Sequence, residues 1–204
     1  MGDQKKNRLR RNGWMVLVPA ILFFLCWQYP AVTGRGIASA NPMGKGDHAM
    51  TMTLSSSAFV ANGKIPALHT CDGQDLSPPL RFSGVPPSCK SLALIVDDPD
   101  APDPAAPKMT WVHWLLYNLS ASATGLAGGA SRSLLPGTLE GLNDWKRTGY
   151  GGPCPPVGTH RYFFKLCALD VVLPDLGKPD KKRLLKAMEG HVVGEAQLVG
   201  SYHR

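Results

Sequence analysis

The fold of this chain is constrained most by three short apolar runs, at residues 91–98, 109–119 and 160–170. Segments rich in proline and glycine separate the runs, and such segments favour turns and loops. The first run is almost continuously apolar and ends in an acidic residue followed by proline. This pattern suits a strand buried on both faces better than a helix of the same length. It places Asp98 at the end of a buried strand.

Side chains alternate between the two faces of a strand, so each of the other two runs has one predicted core face. In the second run that face carries Trp111, His113, Leu115, Tyr117 and Leu119. In the third run it carries His160, Tyr162, Phe164, Leu166 and Ala168. Each of these faces therefore combines a histidine with large apolar side chains.

The composition favours an all-β fold with one minor helix. Of the 204 residues, 22 are Gly and 18 are Pro, and so many turn formers favour short strands in a sandwich or barrel. The length is sufficient for one well-buried core. One helix is predicted at residues 181–190, where Leu184, Leu185 and Met188 form an apolar stripe and Gly190 ends the helix.

The beginning of the chain has the pattern of a signal peptide. A basic segment precedes the apolar residues 14–27, and a small-x-small motif that signal peptidases recognise ends at Ala40. We therefore predict a signal peptide at residues 1–40, a flexible extension at 41–51 and one domain at 52–204, in a periplasmic or secreted protein. The alternative is a leader retained as a membrane anchor, although its apolar stretch is shorter than the roughly 20 residues that span a bilayer.

The predicted signal peptide also carries most of the positive charge. It contributes +5 of the +7 net charge of the chain, which leaves +2 for the domain. Proteins that bind nucleic acids usually carry clustered Lys and Arg residues on one face. No run of Lys and Arg with interleaved aromatic residues follows residue 40. We therefore predict no nucleic-acid partner, and we expect membrane contact only through the leader or through lipid headgroups.

Four cysteines remain after removal of the leader, namely Cys71, Cys89, Cys154 and Cys167. An even number of cysteines in an oxidising compartment permits disulfides, and four cysteines allow three pairings that the sequence does not rank. The sequence contains no CxxC pair, no His-x-His pair and no H-E-x-x-H motif. We therefore predict neither a metal site nor a cofactor.

Asp98, His113 and His160 each lie near the end of a predicted strand, beside chain rich in proline or glycine. Neighbouring strands would bring these side chains to one rim. Imidazoles donate hydrogen bonds to phosphate oxygens, and glycines such as Gly152 let backbone N–H groups approach an anion. The set predicts an anion-binding pocket with no catalytic residue. One alternative is a thiol nucleophile, with Cys154 activated by His160.

The same residues belong to motifs that resemble the two signature regions of the phosphatidylethanolamine-binding protein family. The motifs are Asp-Pro-Asp-Ala-Pro at 98–102, Trp-Val-His-Trp at 111–114, Gly-Pro-Cys-Pro-Pro at 152–156 and His-Arg-Tyr at 160–162. The Cys-Pro-Pro form resembles the bacterial Raf-kinase-inhibitor-like branch. The resemblance extends from about Met52 to the end of the chain.

This resemblance implies a β-sandwich of two antiparallel sheets with Greek-key topology and one C-terminal helix. It also implies a small cavity that accepts phosphate-like anions or phospholipid headgroups. The residues implied to touch the anion are Asp98, His113, Gly152 and His160. The residues implied to shape the cavity wall are Trp111, Pro153 and Tyr162. Asp100 is expected to brace the loop rather than to touch the ligand.

The function predicted from these motifs is binding without catalysis. One alternative is a protein-interaction module that inhibits a hydrolase or a kinase through exposed loops. A kinase target is disfavoured because an exported domain does not meet cytosolic kinases. The other alternative is a weak hydrolase that uses Asp98 and the two histidines.

Overall fold

The computed structural model describes residues 51–204 of the chain. The signal peptide predicted at 1–40 and the extension predicted at 41–51, except for its last residue, lie outside the described residues. Within the described part of the chain, no helix combines the length and the apolar character needed to cross a membrane.

The described residues form two antiparallel sheets and one α-helix. The strands are β1 (Thr53–Ser55), β2 (Leu80–Ser83), β3 (Ser91–Ala101), β4 (Met109–Ser120), β5 (Gly125–Leu126), β6 (Leu139–Glu140), β7 (Thr159–Leu169) and β8 (Val192–His203). The smaller sheet has the order β1-β2-β5 and the larger has the order β6-β4-β3-β7-β8. The helix α1 (Lys181–Met188) precedes the last strand. The predicted fold class, all-β with two antiparallel sheets and one helix near the C-terminus, is confirmed.

The long connection from β4 determines the strand order of the larger sheet. After β4 the chain adds β5 to the smaller sheet and β6 to the outer edge of the larger one. It then returns so that β7 pairs with β3 and not with β4. The strands β6 and β7 follow one another in sequence but are not neighbours in the sheet, as the predicted Greek-key topology requires. The segment between the second and third apolar runs thus contains two short strands, β5 and β6.

The strand β3 is buried on both faces, as its continuous apolar sequence predicted. Leu92, Leu94 and Val96 belong to the core between the two sheets. Ala93 and Ile95 belong to a second core, on the opposite face of the larger sheet. The helix α1 covers that second core with two buried side chains, Leu184 and Met188. Leu185, predicted to share their stripe, is 44% exposed.

The strand β4 does not follow the regular alternation that was predicted for it. Its register against β3 shifts three times, between the partners of Leu92 and Leu94, of Val96 and Asp97, and of Asp98 and Ala101. The first two shifts each place one extra residue in β4, and an extra residue reverses the face of the side chains beyond it. Leu119 therefore packs between the sheets, whereas Leu115 packs on the helix side. The prediction of one shared face was wrong.

Candidate ligand-binding site

A cavity of about 300 Å³ lies where β3 ends and where β4 and β7 begin. Because these neighbouring strands are antiparallel, the end of β3 and the starts of β4 and β7 meet at one edge of the sheet. Five residues predicted for the site line this cavity, namely Asp98, Trp111, His113, His160 and Tyr162. Gly152 and Pro153 are not among the lining residues.

Asp98 and His160 form a buried pair in the lining of the cavity. Nδ1 of His160 lies 2.7 Å from Oδ2 of Asp98, and both side chains are at most 5% exposed. The other carboxylate oxygen of Asp98 accepts the backbone N–H of Asp100 at 2.8 Å. Nε2 of His160 lies 3.1 Å from the carbonyl oxygen of Val157. Both ring nitrogens of His160 therefore face acceptors within the protein.

His113 occupies the second bulge of β4. Val96 pairs with Trp114 and the next residue of β3 pairs with Val112, so His113 is the extra residue between these two pairs. Its Nδ1 lies 2.6 Å from the carbonyl oxygen of Gly151, which accepts a hydrogen bond and cannot donate one. The bulge thus gives the ring an orientation that regular alternation would not provide.

Burial lowers the pKa of His113, and its contact with the Gly151 carbonyl and the nearby carboxylates opposes that shift only in part. The neutral ring carries its proton on Nδ1, where the Gly151 oxygen accepts it. The lone pair is consequently on Nε2. That atom is buried and has no hydrogen-bond partner within residues 51–204.

Two further polar atoms around the cavity also lack partners. Among the described residues, four buried side-chain nitrogen or oxygen atoms have no hydrogen-bond partner, and three of them belong to cavity-lining residues. These three are Nε2 of His113, Nε1 of Trp111 and the hydroxyl of Tyr162. Burial, together with nearby Asp98, raises the pKa of Tyr162. The Tyr162 hydroxyl therefore keeps its proton and remains a hydrogen-bond donor.

Gly152 has a structural role that differs from its predicted role. Its backbone N–H donates to the carboxylate of Asp75, so it is not free to bind an anion. A Cβ atom at this position would lie 2.5 Å from the carbonyl oxygen of His69. The carbonyl of the next residue, Pro153, accepts the N–H of Cys71 at 3.1 Å. Gly152 and Pro153 thus join the segment that follows Tyr150 to the segment around residue 70.

A disulfide between Cys71 and Cys154 joins the same two segments. It settles the pairing that the sequence left open, since Cys89 and Cys167 have no disulfide partner among the described residues. Cys154 lines the cavity, but its sulfur is bonded and carries no thiol. The alternative hypothesis of a Cys154 nucleophile activated by His160 was therefore wrong.

Sequence reasoning missed Trp145, which forms part of the cavity wall. Its ring meets Trp111 and His113 edge to face, with ring centroids 5.4 and 5.1 Å away. A Cβ atom at residue 151 would lie 2.4 Å from this ring, which explains the glycine there. The available signal was a lone tryptophan at the end of a segment rich in Gly, Ser and Ala. Pro155 and Pro156 also line the cavity and were recognised only as parts of a motif.

Asp100 braces the chain next to the cavity, as expected. Both of its carboxylate oxygens bind the Arg161 guanidinium, at 2.7 and 2.8 Å, and one also accepts the Arg161 backbone N–H. This hydrogen bonding lowers the pKa of Asp100. The brace fixes the end of β3 against the start of β7, next to the Asp98–His160 pair. In the chain from residue 51 onward, no group of three or more His, Cys, Asp or Glu side chains is arranged to hold a metal ion.

The buried position of His113 predicts a loss of stability under mildly acidic conditions. Below the unfolded-state pKa of about 6.5, the unfolded chain takes up a proton at this histidine and the native protein does not. The free energy of unfolding should therefore fall by up to about 1.4 kcal/mol per pH unit until the lowered native pKa is reached. We expect urea denaturation of the wild type and of His113→Gln to reveal this slope as a pH-dependent difference. A difference that stays constant between about pH 7 and about pH 5 would contradict the prediction.

The sequence model of the phosphatidylethanolamine-binding protein family matches residues 55–203. The chain belongs to this family. A UPF0098 protein of Methanothermobacter thermautotrophicus is 49% identical over 155 residues, which are 75% of this chain and 99% of the relative. A UPF0098 protein of Chlamydia pneumoniae is 46% identical over 153 residues, with the same two shares.

Solved structures of family members have the same fold. The crystal structure of the family homologue CT736 from Chlamydia trachomatis has a TM-score of 0.70 and 44% identity, and the match covers 76% of this chain and 99% of that one. The crystal structure of YbcL from E. coli, described as a member of the mammalian family, has a TM-score of 0.69 and 29% identity, with 75% and 98% covered. The resemblance inferred from the sequence motifs is thereby confirmed.

Proposed function

We propose that this protein binds phosphate-like anions or phospholipid headgroups in the cavity and does not catalyse their conversion. The observation that carries the proposal is the set of three buried polar atoms without protein partners, on Trp111, His113 and Tyr162. An unsatisfied buried polar group costs about 1–3 kcal/mol, so a ligand that pairs with these atoms offsets a penalty already present in the fold.

The chemistry of the three atoms favours an acceptor-rich ligand. The indole nitrogen of Trp111 only donates, and the protonated hydroxyl of Tyr162 is free to donate. His113 becomes a donor at Nε2 once that atom carries a proton. Phosphate presents several acceptor oxygens, and family members are named for binding phosphatidylethanolamine. The rings of Trp111 and Trp145 offer apolar surface and cation–π contact to an ammonium group such as that of ethanolamine.

The proposal of binding without turnover is supported by how the reactive groups are engaged. Asp98 and His160 bind each other and backbone groups. The sulfur of Cys154 is in a disulfide. The ring of Tyr162 meets the ring of His113 edge to face, and burial raises the pKa of the Tyr162 phenol, so this hydroxyl stays protonated and is a poor nucleophile.

The proposal is tested by titration with inorganic phosphate and O-phosphoethanolamine, followed through the imidazole resonances of His113. Tyr162→Phe and Trp111→Phe each remove one donor and keep an aromatic ring, so each should weaken binding by about tenfold. Tyr117→Phe is the matched control, because the hydroxyl of Tyr117 binds Asp175 outside the cavity. Affinity in this control should equal that of the wild type.

Two outcomes would contradict the proposed function. Millimolar ligand that leaves the His113 resonances unchanged would count against an anion site, and release of phosphate from phosphoesters would count against binding without catalysis. Vesicles that contain phosphatidylethanolamine form a separate arm of the test. Binding to vesicles but not to the soluble compounds would identify the lipid as the source of the headgroup.

We further propose that the protein acts in the periplasm or outside the cell. The Cys71–Cys154 disulfide supports this location, since such bonds persist in oxidising compartments. Alkylation of the protein in intact cells should leave these two cysteines unlabelled. Labelling of both as free thiols would contradict the proposed location.

A further inference from the structure

We infer that the cavity takes up one proton at Nε2 of His113 each time it binds an anion, so that anion affinity rises as the pH falls. The inference rests on the proposed function and adds that the affinity of the site for an anion depends on pH. His113 is the residue concerned, and a bulge in β4 gives its ring the required orientation.

The geometry leaves Nε2 as the only ring atom of His113 that can gain a proton. The Nδ1 proton is held by the carbonyl oxygen of Gly151 at 2.6 Å, and that oxygen is an acceptor only. In the free protein, Nε2 therefore presents a lone pair. The oxygens of an anion also present lone pairs, and two acceptors at hydrogen-bond distance repel each other. A proton placed between them turns this repulsion into a charge-assisted hydrogen bond.

His160 cannot supply this proton without losing a contact. Its two ring nitrogens lie at hydrogen-bond distance from Asp98 and from the Val157 carbonyl. Both partners are acceptors, so both nitrogens of this ring are already engaged within the protein. An anion in the cavity must therefore find its hydrogen-bond donor elsewhere, and Nε2 of His113 has no hydrogen-bond partner among the described residues.

The ionisable groups around His113 stabilise a proton on its Nε2 atom only to a limited extent. They are Asp97 and Asp98 from β3, Asp75 from the segment before β2, Asp144 and Arg147 from the loop before β7, and His160 and Tyr162 from β7. The carboxylates each have a cationic or N–H partner. Asp97 binds two lysines, and Asp75 lies 3.7 Å from Arg147 and accepts the N–H of Gly152. Burial of the ring therefore keeps His113 neutral until an anion arrives.

Proton uptake of this kind has a defined signature. Binding of an anion raises the pKa of His113 above its value in the free protein. Between these two pKa values, the affinity for a ligand of constant charge changes tenfold per pH unit and increases towards acidic pH. Below both values the affinity becomes constant. A ligand that brings its own proton, such as hydrogen phosphate, would hide the effect.

Sulfate is the suitable probe, because its charge stays constant between about pH 5 and about pH 8 while His113 titrates. Calorimetry of sulfate binding in bis-Tris and in Tris, which differ in ionisation enthalpy, gives the number of protons taken up. We expect close to one proton per sulfate at neutral pH, and up to tenfold tighter binding per pH unit towards acidic pH. Nitrogen NMR of the wild type should show a second N–H on His113 in the complex.

Two variants attribute the proton to His113. His113→Gln replaces the titrating nitrogen by an amide, so sulfate affinity should become independent of pH. His191→Gln is the matched control, since His191 is 43% exposed and binds Asp170, away from the cavity. The control should keep the wild-type slope. Should the first variant fail to fold, the NMR signal of the wild type still decides the question.

The outcomes separate this inference from the proposed function. Sulfate binding with no proton uptake and a flat pH profile overturns the inference and leaves the anion site intact. A second N–H that appears on a residue other than His113 also overturns it. Absence of binding by sulfate, phosphate and O-phosphoethanolamine across the whole pH range overturns both.

Discussion

Replacement of both disulfide cysteines, in a Cys71→Ser/Cys154→Ser variant, is expected to lower the free energy of unfolding by about 4.5 kcal/mol. The bond closes a loop with a sequence separation of 83 residues. A crosslink of this length removes much of the conformational freedom of the unfolded chain, and the loss of that freedom is the main source of stabilisation in the chain-entropy account. In the folded protein the two segments are also joined by the hydrogen bonds of Gly152 and Pro153.

Urea denaturation with and without a thiol reductant measures this effect. The wild type should lose stability in the reductant and approach the double variant, whose own stability should not respond to the reductant. Cys89→Ser is the matched control, because the Cys89 thiol donates to the carbonyl of Ser91 and a hydroxyl retains that bond. The control should match the wild type and respond equally to the reductant. A loss below about 1 kcal/mol in the double variant would contradict the chain-entropy account.

The elements that follow local sequence rules were predictable. The strand β3 is continuously apolar because it packs on both faces, against the smaller sheet and against α1. The side chains of β7 keep strict alternation, so Tyr162, Phe164 and Leu166 all lie in the core between the sheets, as predicted. The helix α1 ends before Gly190, which adopts a positive φ of 80°. In each case one local pattern determines the element.

The orientation of His113 was beyond sequence reasoning. A bulge reverses the alternation of side chains along a strand, but no particular amino-acid composition marks a bulge in the sequence. The two bulges in β4 become visible only in the pairing with β3. Asn118, at a positive φ of 58°, belongs to the first bulge. The apolar pattern of the second run placed His113 near the end of a strand, but the direction of its ring depends on the bulge.

The contacts that Gly152 and Trp145 make near the cavity were unpredictable for a different reason. Gly152 was expected to offer its N–H to a ligand, because glycine permits such an approach. The carboxylate of Asp75, which lies 77 residues earlier in the chain, takes that N–H instead. Trp145 reaches the cavity from the loop after β6 through contacts with Trp111 and His113. Contacts between distant segments depend on the assembled fold, and no local pattern encodes them.

On the opposite face of the larger sheet, Asp97 predicts a second large effect on stability. Its carboxylate is fully buried and binds the ammonium groups of Lys165 and Lys181. The two lysines are partly exposed, so solvation loss falls mainly on Asp97. Removal of the partners of a buried charge typically costs about 3–5 kcal/mol. We expect a loss of that size in a Lys165→Met/Lys181→Met variant, measured by urea denaturation.

The same principle predicts that removal of the buried charge restores stability. Replacement of an entire buried ion pair by apolar residues is often neutral, because the desolvation penalty disappears together with the attraction. The triple variant Asp97→Val/Lys165→Met/Lys181→Met should therefore recover most of the loss in the double variant. Lys182→Met is the matched control, since it removes a lysine of α1 that has no ion pair among the described residues. It should change stability by less than about 0.5 kcal/mol. If the double and triple variants were equally unstable, packing of the lysine side chains would explain the loss, and the isolated charge of Asp97 would not.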